Sequence, residues 1–266
     1  MLSNLHTHSV FCDGKNTLEE IVLEAIGKGF CSIGFSGHGY TNFDSQYCMQ
    51  DTDGYICEIN RLKKKYKKEI EIYLGVEEDA FSPVNREDFE YIIGSSHYLL
   101  ADGQHYPVDL NYDCLKKCLP LFENNPALMA HAYYKPFCEY ISKRKPDIVG
   151  HFDLITKFDE LENSLFLENQ EYNKVAEEYM LYAAKSGCLF EVNTGAISRG
   201  FRTTPYPYNN LLQILRKNGN GVVLTSDSHE VTTLSYGFEE AKKMLKNIGF
   251  DHTYILYKGE FIKDIL

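Results

Sequence analysis

A chain of 266 residues, 44% apolar and 24% charged, is long enough to bury a sizeable core and too apolar to be disordered. Its 27 basic and 38 acidic residues give a formal charge of −11, which removes any global attraction to a polyanion such as nucleic acid and favours a compact substrate. With no charged-then-apolar leader, no apolar run of membrane-spanning length and no CxxC among eight cysteines, the sequence reads as a cytoplasmic protein with reduced thiols and no membrane partner.

Along the chain, short apolar runs alternate with longer amphipathic stretches, the pattern of repeated βα units. Asn4-Leu5-His6-Thr7-His8 closes a first strand, and side chains two apart leave the same face, so both imidazoles point one way. Thr17 to Lys28 reads as a helix with Thr17 as N-cap, Glu20 as its capping-box partner and Gly29 as its stop. Cys31 to Phe35 is the second strand and leads to His38. Tyr55 to Lys68 is helical with a solvated, lysine-rich face. Glu71 to Val76 is the third strand, ending at Glu77-Glu78, and Tyr91 to Ser96 is the fourth, ending at His97.

Residues 99–108 read as a polar loop carrying His105, and two helices fill 109–144, the second opened by Pro126. Asp147 to Gly150 is the fifth strand, followed by His151. A helix from Glu168 to Ser186 stops at Gly187, and Cys188 to Val192 is the sixth strand, turning off at Asn193. After a helix over Leu211 to Lys217, Val222 to Thr225 is the seventh strand and runs into Asp227-Ser228-His229. A last helix, Tyr236 to Asn247, precedes the run Tyr254 to Tyr257. No linker, repeat or low-complexity tract divides the chain, so residues 1–266 are expected to form one domain.

In a barrel of parallel strands the carboxyl ends converge on one mouth, where catalytic groups gather. Here those ends deliver His6, His8, His38, Glu77, His97, His151, Asp227 and His229, and Asp13 lies just behind the first pair. Nine nitrogen and carboxylate donors without a thiolate suit zinc, iron or manganese and exceed what one tetrahedral ion needs. Two or three divalent ions are expected, with Glu77 as the bridging carboxylate and phosphoryl transfer as the fitting chemistry.

The ordered set formed by His-x-His, the second-strand histidine, the third-strand Glu, Ser-Ser-His, Gly-His-Phe-Asp and Ser-Asp-Ser-His resembles the motifs of the polymerase and histidinol phosphatase (PHP) superfamily over nearly the whole chain. Gly94-Ser95-Ser96-His97 and Asn193 to Arg199 are most similar to its histidinol-phosphate phosphatases. The resemblance implies an α/β fold, a distorted seven-stranded (β/α)7 TIM-like barrel with a trinuclear site. His6, His8, Glu77 and Asp227 would hold one ion, Glu77, His97 and His151 a second, and Asp13, His38 and His229 a third.

The implied activity is hydrolysis of L-histidinol phosphate by a metal-activated hydroxide, a step of histidine biosynthesis, with Glu77, Asp227 and Arg199 as catalytic residues. Arg199, after the sixth strand, suits bidentate contact with phosphate oxygens, and the resemblance points to an arginine there too. Lys157, Ser95 and His105 are the further substrate-contact candidates, with Ser96 beside Ser95. Glu78, Asp79 and Glu191 are open candidates for the acid that meets the substrate amine. His131 and His252 read as structural.

The same metals could serve a nucleotide, a phosphotyrosyl protein or a DNA 3′ end, and a non-catalytic metal-binding module is the alternative from another class. Three other phosphate signals fall away. Cys138 and Arg144 have cysteine-phosphatase spacing but no glycine between them. Asp51-x-Asp53 does not follow a buried strand, and no phosphate-cradling Gly-x4-Gly-Lys loop exists.

Overall fold

A computed structural model describes residues 1–161 and 164–266. The chain is an α/β fold built on one curled sheet. Its strands are β1 (Ser3–Asn4), β2 (Ser32–Phe35), β3 (Glu71–Asp79), β4 (Tyr91–Ser95), β7 (Ile148–Val149), β8 (Leu189–Asn193), β9 (Val222–Thr225), β10 (His252–Tyr257) and β11 (Glu260–Ile265), adjacent in that order. All neighbours are parallel up to β10, and β11 turns back antiparallel. Just past the ends of β1 and β9, Thr7 bridges Ser228, with the His8 amide donating to the Ser228 carbonyl at 2.8 Å.

The sheet thus holds nine strands where the sequence reading counts seven. The run from Tyr254 pairs with Val223 of β9 and then folds onto β11, a half-exposed strand whose mixed polarity hides it from a search for buried runs. Residues 98–107 are a second departure. They form a hairpin of β5 (Tyr98–Ala101) and β6 (Gln104–Pro107), not a loop.

The helices follow their signals. α1 (Leu18–Gly27) has the Thr17–Glu20 capping box. α2 (Thr52–Tyr66) is capped by the Asp51 carboxylate, which accepts from the Gly54 amide, and that is the role of the Asp-x-Asp-Gly sequence. α3 (Tyr112–Cys118) and α4 (Pro126–Arg144) fill the predicted helical region. α5 (Gln170–Ala183), α7 (Asn209–Asn218) and α8 (Phe238–Ile248) complete the outer layer, and a one-turn α6 (Gly195–Ser198) sits above β8.

One apolar cluster packs α1 and α2 on β2 and β3, and a larger one packs α4, α5 and α7 on the other side of the sheet order. A third lies among the strands themselves and includes Leu5, Tyr73, Tyr91, Ile93, Ile148 and Val223. Tyr91 is its centre. Its hydroxyl donates to the Leu5 carbonyl at 2.5 Å, and its ring crosses Gly75, where an added Cβ would sit 2.2 Å from Cζ. Gly75→Ala is therefore expected to destabilise the fold by about 1–3 kcal/mol through overpacking, read as a lower urea midpoint with an unchanged slope.

Candidate metal centre

Eight of the nine ligand candidates are placed by strand ends, and Asp13 lies in the turn that leads from β1 to α1. Thr7 is held on both sides, its hydroxyl donating to the Gly34 carbonyl at 2.6 Å and its backbone bridging Ser228, so its neighbours His6 and His8 both turn inward and are fully buried. β3 runs three residues beyond the expected Val76, and His38 pairs with Glu77 as a parallel bridge. Asp227 has φ of 46°, in the left-handed region that Asp tolerates better than most residues.

All nine predicted donors come together. Glu77 lies at the middle, its Oε1 2.8 Å from His151 Nε2 and 3.3 Å from His97 Nε2, its Oε2 3.0 Å from His38 Nδ1 and 3.2 Å from His6 Nε2. Asp227 Oδ1 is 3.1 Å from His8 Nε2 and 3.7 Å from His6 Nε2. Asp13 meets His229 Nε2 at 3.2 Å and lies 3.7 Å from His38 Nε2. Four groupings have all ligand atoms within 4.8 Å: His6–His8–Asp227, His6–Glu77–His151, His38–Glu77–His97, and His8–Asp13–His38–His229. The last adds His8 to the predicted trio.

The donors fit borderline divalent ions on an observation of the fold itself. His6 Nε2, His8 Nε2 and Glu77 Oε2 are buried, converge on one space and have no hydrogen-bond partner among the described residues. Buried polar atoms are normally satisfied, so three orphans aimed at each other define a cation's place. The electrostatics agree. Burial would raise the Glu77 and Asp227 carboxyls, but the surrounding imidazoles, and for Asp227 first the Arg199 guanidinium, hold both well below the usual range.

A cleft of about 640 Å³ opens over this cluster and is lined by Asp13, His38, Glu77, His97, His151, Asp227 and His229 together with Arg199 and Lys157. Arg199 donates to Asp227 Oδ2 at 2.9 Å and to the Asp227 carbonyl at 3.1 Å. Gly195 leaves room for that packing, since a Cβ there would meet Asp227 Cβ at 2.8 Å and the Arg199 guanidinium at 3.0 Å. Lys157 donates to the Asp109 carbonyl at 2.8 Å.

Two predicted contacts are not brought to the cleft. Ser95 is fully buried on β4 beneath it, packed against Gly150. His105 is drawn away because the hairpin stacks it on Phe43 at 3.7 Å between ring centroids. Ser96 is buried as well. The three open acids are also committed elsewhere. Glu78 is clamped by Arg144 and Tyr140, Asp79 accepts from the His97 amide and faces its Nδ1 at 3.1 Å, and Glu191 faces His6 Nδ1 at 2.5 Å. Cys138 is buried against the Tyr179 carbonyl while Arg144 serves Glu78, so their spacing carries no chemistry. His131 and His252 pair with Tyr179 and Asp251 away from the cleft.

The cleft also contains Asp44, Tyr47, Tyr98 and Asp109, which the sequence reading did not single out. Asp44, Tyr47 and Asp109 sit on connections between elements, where only the absence of an apolar pattern marks them, and Tyr98 opens β5 in the stretch that reads as a loop. Asp79 and Glu191 did carry a signal. Asp79 shares its strand face with Glu77, and Glu191 is a charge set between Phe190 and Val192.

Residues 4–195 match the PHP domain family. A Schizosaccharomyces pombe protein named "Probable histidinol-phosphatase" is 27% identical over 96% of this chain and 89% of its own. The histidinol-phosphatase of Bacillus subtilis is 24% identical over 88% of this chain and 96% of its own. The crystal structure of a histidinol phosphate phosphatase from Lactococcus lactis, complexed with zinc, L-histidinol and phosphate, covers 98% of both chains with a TM-score of 0.71 at 19% identity, a likeness of fold.

Proposed function

The chain belongs to the PHP domain family, and from that premise we propose that it is a metal-dependent phosphomonoesterase that hydrolyses L-histidinol phosphate to L-histidinol and phosphate. The observation that carries this reading is the buried Glu77 carboxylate facing histidines on both of its oxygens, beneath a cleft that also holds a guanidinium. Two relatives that align over most of this chain bear the histidinol-phosphatase name.

In this reading His6, His8, Glu77 and Asp227 would hold one ion, Glu77, His97 and His151 a second, and Asp13, His38 and His229 a third. Divalent zinc, iron or manganese bound there supplies Lewis acidity and makes a nucleophile from water near neutral pH. The chain's own residues do the rest. Arg199 reaches from Asp227 into the cleft, where its remaining N–H groups can take phosphate oxygens and offset their charge. Lys157 adds a second cation at the same wall as Asp109, and Asp44 and Asp109 give the cleft carboxylates of the sign that an amine needs.

We read the seven parallel strands from β1 to β9, joined through Thr7 and Ser228, as a distorted (β/α)7 barrel, with β10 and β11 appended and residues 1–266 as one domain. A formal charge of −11 supports a small phosphate monoester over nucleic acid. All eight cysteines are free, which suits the cytoplasm, and among the described residues no helix is long and apolar enough to cross a membrane.

Phosphate release by zinc-loaded protein from L-histidinol phosphate, beside nucleotides, sugar phosphates and phosphotyrosine, tests the assignment. A clear preference in kcat/KM for L-histidinol phosphate is the expected result. Equal turnover across the panel, or preference for another member, would sink the substrate.

A further inference from the structure

Building on the reading of His6 and His151 as ion ligands, we infer that Glu191 is a positioning residue that fixes both of them from behind, although it touches neither substrate nor cleft. Glu191 lies mid-strand in β8, 1% exposed, between Phe190 and Val192. Among the described residues no lysine or arginine pairs with its carboxylate, the arrangement that makes a buried charge expensive. Hydrogen bonds offset that cost, and their origins reveal the role.

Oε1 accepts from the Thr225 hydroxyl of β9 at 2.7 Å and faces His6 Nδ1, past β1, at 2.5 Å. Oε2 accepts from the His151 amide, past β7, at 2.7 Å and from the Asn193 side-chain amide at 3.0 Å. One carboxylate therefore joins three strand ends besides its own. Holding a proton on His6 Nδ1 leaves Nε2 as the lone-pair nitrogen, and Nε2 is the atom directed at Glu77 and Asp227 without a hydrogen-bond partner among the described residues. Holding the His151 amide places the residue whose Nε2 meets the other oxygen of Glu77 at 2.8 Å. Asp79 does the same for a single ligand, His97. Among the described residues, Glu191 alone holds ligands that face both oxygens of Glu77.

Glu191→Gln keeps the shape but replaces one accepting oxygen with an N–H group that must then face a donor. The experiment measures zinc affinity by competition with a chromogenic chelator, thermal melting, and turnover of L-histidinol phosphate at limiting and at excess zinc. The expected result is a cooperative melt, zinc bound about 10–100-fold more weakly, and turnover that falls at limiting zinc and recovers with excess. Unchanged zinc affinity, or lost turnover that excess zinc does not recover, overturns the inference. Should Glu191→Gln fail to fold, Thr225→Val removes one donor to Oε1 and is expected to weaken zinc in the same direction by less; unchanged affinity there overturns it equally. Zinc binding is read without substrate. A wild-type chain that binds zinc yet spares L-histidinol phosphate defeats the substrate assignment and leaves this test standing.

Discussion

Treatment with a strong chelator is expected to abolish phosphate release, and zinc, iron(II) or manganese(II) returned to the protein is expected to restore it. The site holds nine ligand candidates, and of the cations lining the cleft Arg199 is already paired with Asp227 and Lys157 with Asp109, so little catalytic charge remains once ions are gone. Without ions, protons take their place. Burial by itself would lower His6, His97 and His229, but Glu191 and Glu77 around the first, Glu77 and Asp79 around the second, and Asp13 and Asp227 around the third outweigh it and raise all three. An entering ion must displace those protons, so its apparent affinity falls as pH is lowered. His8 differs, because burial and the neighbouring His229 and His38 push it down to about 3, leaving a neutral ligand at working pH. Titration of the chelated protein with zinc should release protons, followed with an indicator dye. The melting temperature should rise as well, since an ion at 100 times its Kd adds about 2.7 kcal/mol. Zinc uptake without proton release would place the ions outside this cluster.

What could be read in the sequence was whatever a strand end imposes. His6 and His8 share a face because side chains alternate along an extended chain, and Glu77, His97 and His151 each follow an apolar run that can only be a buried strand. The helices announced themselves through Thr17 with Glu20, Pro126 and Gly187. The hairpin at Tyr98–Pro107 could not be seen that way, because its outer strand is half-exposed and its pairing is purely local. Ser95 and His105 lie off the cleft lining for one common reason. Sequence position says which strand end a residue is near, but whether the side chain reaches the cleft depends on depth and on rings such as Phe43 that come from elsewhere in the chain. Glu191 and Asp79 stand in the sequence as open candidates for the acid that meets the substrate amine, whereas the fold turns both toward histidines, a distinction that depends on which imidazole lies behind each strand.

Glu77→Gln should give the largest loss of any single substitution, with kcat lowered at least about 10³-fold, beyond the 10–100-fold typical of residues one layer behind the ligands. Glu77 is 1% exposed and its two oxygens meet five histidines, counting His8 at 3.6 Å from Oε2. The amide has nearly the same volume, so packing survives, but it carries no charge and only one accepting oxygen. Two of the four ligand groupings contain Glu77 and two do not. His6–Glu77–His151 and His38–Glu77–His97 lose a member, while His8–Asp13–His38–His229 does not contain Glu77. The variant should therefore fold, melt cooperatively, and hold fewer ions per chain than the parent, keeping those that Asp13 supports. Asp13→Asn is the complementary change and should remove only that grouping, with a smaller loss of turnover. Metal content by mass spectrometry beside kcat decides between the two patterns. If Glu77→Gln kept the full ion count and most of its turnover, Glu77 would not bridge the ions, and the arrangement of the whole centre around that carboxylate would have to be abandoned.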